Sequence, residues 1–294
     1  MSVADNAESR TPHAVMRGAL YVVATPIGNL SDLSPRAQAV LGSVDIIAAE
    51  DTRHTGALLK AVGIGARTLV ALHEHNEQAR AAELVQRLSE GQSVALVSDA
   101  GTPLISDPGF DLVRAAAERH IEIVVIPGPC AAIAALSIAG LPTDRFVFEG
   151  FLPAKMQARR ERLNGLKQEP RTLIFYEAPH RLGEVLQDMS ATLGADRRAL
   201  IARELTKVHE SAYRGTLEEL IAREKDEANM SRGEIVIIVA GEAVENATPY
   251  DVERVLRVLL DELSPAQAAK LTARLTGARR GELYDLALQW ADKS

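Results

Sequence analysis

Cysteine is almost absent, since the 294-residue chain contains only Cys130. An intrachain disulfide and a four-cysteine zinc site are therefore excluded, and low cysteine use fits a reducing compartment. The sequence also lacks an apolar run of about 18 residues, the length that a membrane-spanning helix needs. Residues 1–16 carry charged side chains and no apolar run, so they predict a disordered leader rather than a secretory signal. We therefore expect a cytoplasmic protein with no membrane partner.

Positive charge is scarce as well, because 33 lysines and arginines face 40 aspartates and glutamates and the net charge is −7. This balance excludes a protein that bulk charge holds to nucleic acid, but it allows local basic patches. Residues 151–181 contain seven basic and three acidic side chains, and residues 264–281 contain four basic and no acidic ones. Each stretch is either a phosphate-binding patch or a solvated helix face.

Short, β-branched apolar runs between turn signals are typical of strands buried on both faces of a parallel sheet. In the first half of the chain these runs occupy residues 19–25, 45–50, 68–74, 93–100 and 121–128. Helical patterns separate them, including one at 76–90 for which Asn76 is the expected cap. The alternation predicts an α/β domain over residues 17–132.

A second set of runs predicts a second α/β domain over residues 133–246. The runs occupy residues 145–152, 171–178, 198–204 and 234–241, with helical patterns near 155–167, 181–190 and 216–225. At the join, the small residues of 127–142 predict a strand end, a tight turn and a closely packed helix.

Residues 247–294 form a helical tail by pattern, with helices at 251–261, 265–275 and 280–290. Ser264 and Pro265 fit the cap and first turn of the second of these helices. The tail resembles a helix-turn-helix, and the alternative is a solvated helix pair packed on the body.

Three proline- and glycine-rich loops follow predicted strands, at residues 24–32, 98–109 and 127–132. Such loops let the backbone approach a ligand closely, and the carboxyl ends of parallel strands are where open α/β sheets bind ligands. None of the loops is a G-x-G-x-x-G, a Walker A loop or a G-x-S-x-G elbow. Each could also be a plain rigid turn, and Cys130 is better interpreted as a small buried filler than as a nucleophile.

Polar residues cluster at 49–55, 73–77, 176–181 and 202–210. We interpret eight of them as substrate or interface groups, any of which could instead form a structural ion pair: Asp51, Arg53, His75, Asn76, Glu177, Arg181, Glu204 and His209. His73 and His75 are expected to point to opposite sides of a strand end. They do not form the helical H-E-x-x-H zinc pair, and a metal site here has little support.

Nine motifs run in one order from Leu20 to Gly241: LYVVATPIGNLSDLSPRA, AAEDTRHTGALL, LHEHNE, VALVSDAGTPLISDPG, VIPGPCA, FEGFLP, FYEAPHRL, ARELTKVHE and RGEIVIIVAG. Each motif alone is weak, but the ordered set resembles the tetrapyrrole methylase superfamily. Within that superfamily it is similar to the ribosomal RNA small subunit methyltransferase I family. Tetrapyrrole-acting members usually have G-x-G-x-G-D in the first loop, where this chain has Thr25 to Asn29, which favours the RNA-acting branch.

The resemblance implies two α/β domains of the tetrapyrrole methylase fold, a donor-binding cleft between them, a small C-terminal helical extension and a homodimer. It implies S-adenosylmethionine-dependent 2′-O-ribose methylation of a cytidine in the decoding region of small-subunit (16S) ribosomal RNA, free or in the 30S subunit. Carried over motif by motif, ten residues would meet the donor: Pro26, Asp99, Gly101, Ile105, Ser106, Gly128, Pro129, Tyr176, Leu205 and Gly233.

A ribose hydroxyl must lose its proton during attack, so a carboxylate or imidazole within hydrogen-bond reach is expected. The candidates are Asp51, His75 and Glu177. Five residues are candidates for substrate contacts: Arg53, Asn76, Arg159, Arg160 and Arg181. This scheme requires no metal.

Two alternatives stay open at this point. One is a tetrapyrrole or other small-molecule methyltransferase of the same superfamily, which would need neither the basic helix nor the helical tail. The other is a non-catalytic ribosome-binding factor, which would have no affinity for S-adenosylmethionine.

Overall fold

The five apolar runs of the first half form one parallel sheet in a computed structural model that describes residues 15–227, 229–242 and 252–291. Its strands are β1 Leu20–Val23, β2 Ile46–Ala49, β3 Thr68–Ala71, β4 Val94–Val97 and β5 Ile123–Ile126. They lie in the order β3-β2-β4-β1-β5, and every neighbouring pair is parallel. The carboxyl ends of all five strands therefore meet at one edge, where the polar loops begin.

Helices cover both faces of this first sheet, because its apolar side chains project to either side. The helices of this half are α1 Pro35–Leu41, α2 Thr52–Ala61, α3 Glu77–Ser89, α4 Phe110–Glu118 and α5 Ala131–Ile138. Helices α1 and α2 pack on one face and α3 and α4 on the other. The Glu77 carboxylate accepts the Gly109 and Asp111 backbone N–H groups at 2.9 and 2.8 Å, which ties α3 to the start of α4.

The second half forms a mixed sheet, not a parallel one. Its strands are β6 Phe146–Phe151, β7 Thr172–Glu177, β8 Arg198–Arg203, β9 Ser211–Thr216 and β10 Ile235–Val239. They lie in the order β6-β7-β10-β8-β9, with β6 and β7 parallel and the other neighbours antiparallel. Strand β9 is absent from the sequence-based expectations because it is largely polar and only partly buried, so it contains no apolar run.

The second sheet also lies between helices. Its outer face packs against α6 Met156–Gly165, α7 Leu182–Leu193 and α8 Leu217–Asp226. The opposite face packs against α5, whose Ala132, Ala135 and Leu136 share one apolar cluster with Ile174 and Ile238 of the sheet. The small-residue helix predicted at the join is therefore present, and the surface that it packs against is the second sheet.

The antiparallel direction of β10 decides which residues meet at the edge of the second sheet. Ile235, at the start of β10, lies opposite Glu177 at the end of β7 and Arg203 at the end of β8. The backbone just before β10 is consequently adjacent to the backbone just after β7 and β8. Three segments that are distant in the sequence thereby reach one place.

The chain divides into two compact units, one that ends at Glu242 and one that starts at Ala243. The second unit contains α9 Val252–Leu260, α10 Pro265–Thr276 and α11 Arg280–Ala291. These helices match the three that the pattern predicts, and Ser264 is the N-cap residue before Pro265. They enclose a small core of their own: Leu256, Ala268, Ala269, Leu283 and Ala287. Residues 1–14 of the predicted leader and the predicted boundary at 246/247 lie outside the described residues.

No helix in the described part of the chain is long and apolar enough to span a membrane.

The basic side chains of helix α6 are not all exposed, contrary to the expectation that Arg159 contacts substrate. Arg159, expected to contact substrate, is 2% exposed, and its Nε donates to Asp188 Oδ2 at 2.6 Å. Arg160 is about half exposed and donates from Nε to the other Asp188 oxygen, also at 2.6 Å. Arg162 pairs with Glu149. Arg159 is thus a structural residue that joins α6 to α7, and its charge is not available to a phosphate.

We expect Asp188→Asn to lower the free energy of unfolding by about 3 kcal/mol, because it leaves the Arg159 guanidinium buried without a full counter-charge. Although burial favours protonation, hydrogen bonds from Arg160 and Arg159 lower the pKa of Asp188. The stability that Asp188 contributes is therefore lost as the pH falls through that lowered pKa, and the difference from wild type shrinks in acid. Urea unfolding at several pH values measures both effects.

The matched control is Glu161→Gln, the same loss of charge at an exposed position of α6. It should change stability by less than about 0.5 kcal/mol. Equal stabilities of Asp188→Asn and wild type would contradict a structural role for the pair.

Candidate active site

Two loops at the carboxyl edge of the first sheet are joined by hydrogen bonds between Thr25 and Gly101. The Thr25 N–H donates to the Gly101 carbonyl at 3.0 Å, and the Gly101 N–H donates to Thr25 Oγ1 at 3.1 Å. The Thr25 hydroxyl in turn donates to the Ser98 carbonyl at 3.1 Å. We call this joined pair of loops the wall. Because Thr25 and Ser98 are buried, these bonds form away from water and fix the wall rigidly.

Gly101 is required in the wall for two separate reasons. Its φ of +95° lies in the left-handed region that side chains disfavour. A Cβ at this position would also lie 2.9 Å from Ile27 Cγ2 and 3.1 Å from the Pro129 carbonyl oxygen. Gly101 thus brings three loops into contact, since Ile27 and Pro129 belong to the loops after β1 and β5.

A cleft of about 340 Å³ lies between the wall and the edge of the second sheet where β7 and β8 end and β10 begins. That volume is within the usual range of small-molecule sites, about 300–1,000 Å³. The residues that line it come from both sheets: Ile27, Ala100, Ile105, Ser106, Asp107, Ala131, Phe151, Tyr176, Glu177, Ala178, Pro179, Ala202, Leu205, Gly233, Glu234, Ile235 and Val236.

The ten predicted donor contacts fall into three groups. Five of them line the cleft: Ile105, Ser106, Tyr176, Leu205 and Gly233. Three support its wall: Gly101, Gly128, at which a Cβ would lie 2.9 Å from Ala24 Cβ, and Pro129, whose carbonyl accepts the Thr102 hydroxyl at 2.9 Å. The remaining two, Pro26 and Asp99, line a different cavity on the far side of the wall.

Several cleft residues were not singled out from the sequence. Most of them adjoin predicted residues in the same motifs, as Ile27 adjoins Pro26 and Glu234 adjoins Gly233. Asp107 also lies in a motif already quoted, and burial, followed by the nearby Asp99 carboxylate, raises the pKa of its carboxyl group. The available signal was the motif itself, but a motif does not say which of its residues face the ligand.

Phe151 reaches the cleft because β6 is irregular. The register between β6 and β7 shifts between Phe148 and Gly150, and Gly150 has a φ of +65°. A Cβ on Gly150 would lie 3.3 Å from Ser106 Oγ, so the bulge lets the two halves approach closely. The Phe151 ring is 57% exposed and packs edge-on against Tyr176 at 5.7 Å between centroids. It therefore offers an open aromatic face to the cleft.

Tyr176 is held in place from two sides. Its hydroxyl oxygen accepts the Ala132 N–H at the start of α5 at 3.2 Å, and its ring also packs edge-on against Phe148 at 5.1 Å. Burial raises the pKa of the phenol far above its usual value. Tyr176 is therefore a neutral and rigid part of the cleft lining, and it is not a base.

Glu177 combines burial with an unpaired oxygen. Its side chain is 1% exposed, and Oε1 accepts the Ala178 N–H at 2.7 Å and lies 3.4 Å from Arg181 Nε. No described residue donates a hydrogen bond to Oε2. Burial raises the pKa of Glu177, and the donated Ala178 N–H and the Arg181 charge offset this only in part. Oε2 is itself shielded from solvent, while the residue borders the cleft at the end of β7. A buried, partly unpaired carboxylate with a raised pKa beside a cleft is a candidate for proton transfer.

Arg181 supports the site mechanically. One of its guanidinium nitrogens, Nη2, donates to the Leu152 and Pro153 carbonyls at 2.9 and 3.1 Å. Arg181 thereby fixes the loop after β6 beside Glu177. Its guanidinium is mostly buried in that role, so it is less open to phosphate than the sequence suggested.

Glu204 orders the loop that follows β8. Its carboxylate accepts the Glu234 N–H and the Lys207 ammonium, both at 2.9 Å. The bond from the Glu234 N–H is the main reason that the pKa of Glu204 is lowered. A Cβ on Gly233 would lie 2.3 Å from Glu204 Oε1, so a larger residue there would displace this carboxylate. This arrangement holds Leu205 and Gly233 together at the cleft.

Asp51 and His75 lie outside the cleft. Asp51 caps α2, and its carboxylate accepts the Arg53 backbone N–H at 2.8 Å and a guanidinium N–H at 2.6 Å. The bonds from Arg53 hold the pKa of Asp51 well below its usual range, which makes it a poor base. Arg53 itself is 90% exposed.

His75 lies in an exposed turn after β3, and the expected opposite orientation of His73 and His75 is wrong. Strand β3 ends at Ala71, so the two-residue alternation does not reach them, and their rings meet edge-on at 6.0 Å between centroids. Asn76 is the N-cap residue of α3, but its side chain forms no cap bond. Instead its Oδ1 accepts the His73 N–H at 2.9 Å within the turn.

Among the residues that the structure describes, no group of three or more histidine, cysteine, aspartate and glutamate side chains is arranged to hold a metal ion.

Comparison with known proteins gives a consistent result. Residues 19–221 match the Tetrapyrrole (Corrin/Porphyrin) Methylases family, and residues 246–291 match the RsmI C-terminal HTH domain. The chain is 54% identical over 274 residues to ribosomal RNA small subunit methyltransferase I of Escherichia coli O157:H7, which covers 93% of this chain and 96% of that protein. The protein of the same name from Pseudomonas aeruginosa is 54% identical over 280 residues, 94% of this chain and 99% of its own.

Among solved structures, the uroporphyrin-III-C-methyltransferase from Thermus thermophilus is similar in fold. The TM-score is 0.54 at 21% sequence identity, and the match covers 76% of this chain and 94% of that one. This likeness supports the tetrapyrrole methylase fold.

We expect Gly101→Ala to weaken S-adenosylmethionine binding by at least about tenfold, which corresponds to about 1.4 kcal/mol. The added Cβ meets both Ile27 and Pro129, so the wall of the cleft must move. Isothermal titration calorimetry with S-adenosylmethionine measures the change.

Gly63→Ala is the control, because Gly63 has a φ of +75° but no atom within 4 Å of an added Cβ. It should lower stability by about 1–2 kcal/mol through backbone strain and leave binding unchanged. If both variants bind the donor like wild type, the wall does not shape the donor site.

Proposed function

The chain belongs to the tetrapyrrole methylase superfamily and, within it, to the ribosomal RNA small subunit methyltransferase I family, and we propose that it transfers a methyl group from S-adenosylmethionine to small-subunit ribosomal RNA. The finer proposal is 2′-O-methylation of a cytidine ribose in the decoding region. We also propose that the protein acts in the cytoplasm as a homodimer, on free RNA or on the 30S subunit.

The single observation that carries the proposal is the cleft between the two sheets, bordered by Glu177, whose buried carboxylate is only partly hydrogen-bonded. The lining fits a nucleoside joined to an amino acid. Apolar walls from Ile105, Leu205 and Val236 suit a flat ring, and the exposed face of Phe151 can stack on it. Glycines at the edges allow close backbone contact.

The donor supplies a methyl carbon bonded to a positively charged sulfur. The protein itself therefore has to position the two reactants and polarise the reacting groups. The wall and the edge of the second sheet hold the two reactants in a fixed geometry, and such alignment is a major contribution to rate. Ile105, Leu205 and Val236 give the cleft an apolar lining, which limits the access of water to the reacting groups once both reactants are bound. The rigid Tyr176 ring keeps this geometry constant.

The attacking ribose hydroxyl has to lose a proton, and Glu177 is our proposed acceptor. Of the three candidates it alone borders the cleft, and no described residue donates a hydrogen bond to its buried Oε2. Its raised pKa makes it a stronger base than an ordinary glutamate, while Asp51 is occupied by Arg53. Asp51 and His75 lie outside the cleft and are weaker candidates for the base.

RNA binding is proposed to use exposed cations and the tail. Arg53 and Arg160 are exposed, and Asn76 lies in a turn at the same sheet edge as Asp51. The tail matches a helix-turn-helix family and carries four basic residues between 264 and 281. Such patches bind phosphates on an otherwise acidic protein.

A tetrapyrrole substrate is the second candidate, and it rests on likeness of fold alone. The solved tetrapyrrole-acting relative is 21% identical, whereas the RNA-acting relatives are 54% identical over nearly their whole length and share the tail. The higher sequence identity and the shared tail favour RNA as the substrate.

The function is tested by incubating the protein with S-adenosylmethionine and small ribosomal subunits from cells that lack it, followed by mapping of ribose methylation. One new 2′-O-methyl cytidine in the decoding region is expected. Unmodified subunits, or methylation of a porphyrinoid instead, would refute the proposal.

We expect Glu177→Gln to lower kcat by about 100- to 10,000-fold, the usual contribution of a general base. Because the pKa of Glu177 is raised, the acid limb of the wild-type pH–rate profile should lie above the range near 4.3 that is typical of glutamate. The variant should lack this limb, and donor affinity by calorimetry should change much less than kcat.

Glu184→Gln is the matched control, since Glu184 is 74% exposed and lies outside the cleft. It should behave like wild type. If Asp51→Asn or His75→Asn removes the acid limb and Glu177→Gln does not, the base is misassigned.

A further inference from the structure

A second cavity of about 290 Å³ lies on the other side of the wall from the cleft. Its lining comes from the loops after β1 and β4 and from helix α2: Pro26, Gly28, Leu30, His54, Thr55, Ala57, Leu58, Ala61, Ser98 and Asp99. It has no lining residue in common with the cleft, and the function proposed above does not yet use it.

The two cavities are lined by adjacent residues of the same two loops. In the first loop, Ile27 lines the cleft while its neighbours Pro26 and Gly28 line the second cavity. In the other loop, Ala100 lines the cleft while Asp99 lines the second cavity. The Thr25–Gly101 hydrogen bonds join the two loops that carry these residues.

This adjacency is what a transfer between two bound molecules requires. The carbon that moves and the oxygen that receives it must lie in near contact and in line. An acceptor held against one side of a thin wall, with the donor against the other side, can meet that condition at the rim of the wall. A site elsewhere on the surface could not.

The lining is apolar on one side and polar on the other. Pro26, Leu30, Ala57, Leu58 and Ala61 supply the apolar part of the lining, and the helical Ala57 and Ala61 are themselves exposed. Small apolar side chains of this kind suit the face of an unstacked ring, and enzymes and RNA-binding proteins read such bases at their edges.

The polar side contains an acceptor with spare capacity. Asp99 Oδ1 accepts the Asp51 backbone N–H at 3.2 Å. Asp99 Oδ2 lies 3.9 Å from His54 Nδ1, and no described residue donates a hydrogen bond to it. An ionised carboxylate can only accept hydrogen bonds, so Oδ2 favours a base edge that carries an amino group over one that carries a carbonyl.

We propose that the second cavity holds the base of the acceptor nucleotide while the methyl donor occupies the cleft, and that Asp99 Oδ2 accepts the exocyclic amino group of that base. This inference rests on the proposed RNA methylation, because it needs a nucleotide as acceptor. It also reassigns Asp99 and Pro26 from the donor to the acceptor.

The first test fills the cavity from its exposed helical side. Ala57→Leu and Ala61→Leu add bulk at its lining, and Ala39→Leu adds the same bulk at an exposed position of α1 that lines neither cavity. With small subunits as acceptor, the two cavity variants should lower kcat/KM at least about tenfold, equivalent to about 1.4 kcal/mol. Their affinity for S-adenosylmethionine by calorimetry should equal that of wild type, and Ala39→Leu should match wild type in both measurements.

The second test uses cytidine 5′-monophosphate and uridine 5′-monophosphate as probes. Protein saturated with S-adenosylhomocysteine, with 13C-labelled leucine methyl groups, is titrated with each nucleotide and followed by NMR. The cytidine nucleotide should shift the Leu30 and Leu58 methyl signals at lower concentration than the uridine nucleotide, with Leu205 in the cleft unaffected. Asp99→Asn should abolish the preference, because an amide both donates and accepts.

Three results would overturn the inference. They are full activity of both cavity variants, weaker donor binding in Asp99→Asn, and nucleotide shifts that are absent from Leu30 and Leu58. Failure of the wild-type protein to methylate small subunits would refute the proposed function itself. Full activity of wild type and cavity variants alike would refute only the base site.

Discussion

Thr25 and Gly101 hold two loops so close together that a methyl group on Gly101 would not fit between them. The contact depends on a buried threonine hydroxyl that accepts one N–H and donates to one carbonyl. Because the donor cleft and the second cavity lie on opposite sides of these loops, both cavities owe their shape to this contact. A looser join would merge them into one open groove, in which neither reactant would be held at a fixed distance from the other.

The second sheet carries the proposed base Glu177, and the first sheet carries the loops that shape the cleft. Its mixed topology brings the start of β10 to the ends of β7 and β8, so Gly233, Glu177 and Leu205 meet although they are far apart in sequence. Helix α5, packed on the same sheet, supplies the N–H that fixes Tyr176. The buried, incompletely paired Glu177 carboxylate is unfavourable for stability. Such a conflict between local energetics and folding is what the proposed role of Glu177 as a base predicts.

Much of the fold was predictable because it depends on apolar periodicity. Nine of the ten strands follow from short apolar runs, and β9 was missed since it is polar and half-buried. The contacts of single side chains were not predictable. Arg159 and Arg160 are neighbours with the same chemistry, yet Arg159 is buried against Asp188 and Arg160 is half exposed. No property of the local sequence distinguishes them, because burial is decided by which face of α6 meets α7.

The site shows the same limit in a sharper form. A motif such as the loop after β4 identifies a functional segment, but the backbone of that loop bends after Val97, and the sequence does not say which way each residue faces. Asp99 and Ala100 line different cavities although they are adjacent in one motif. The resemblance assigns Asp99 and Ile105 of this motif to one ligand, whereas the structure places the two residues at two different cavities. Where a loop borders two cavities, the course of its backbone determines which cavity each side chain lines, and only the three-dimensional arrangement reveals it.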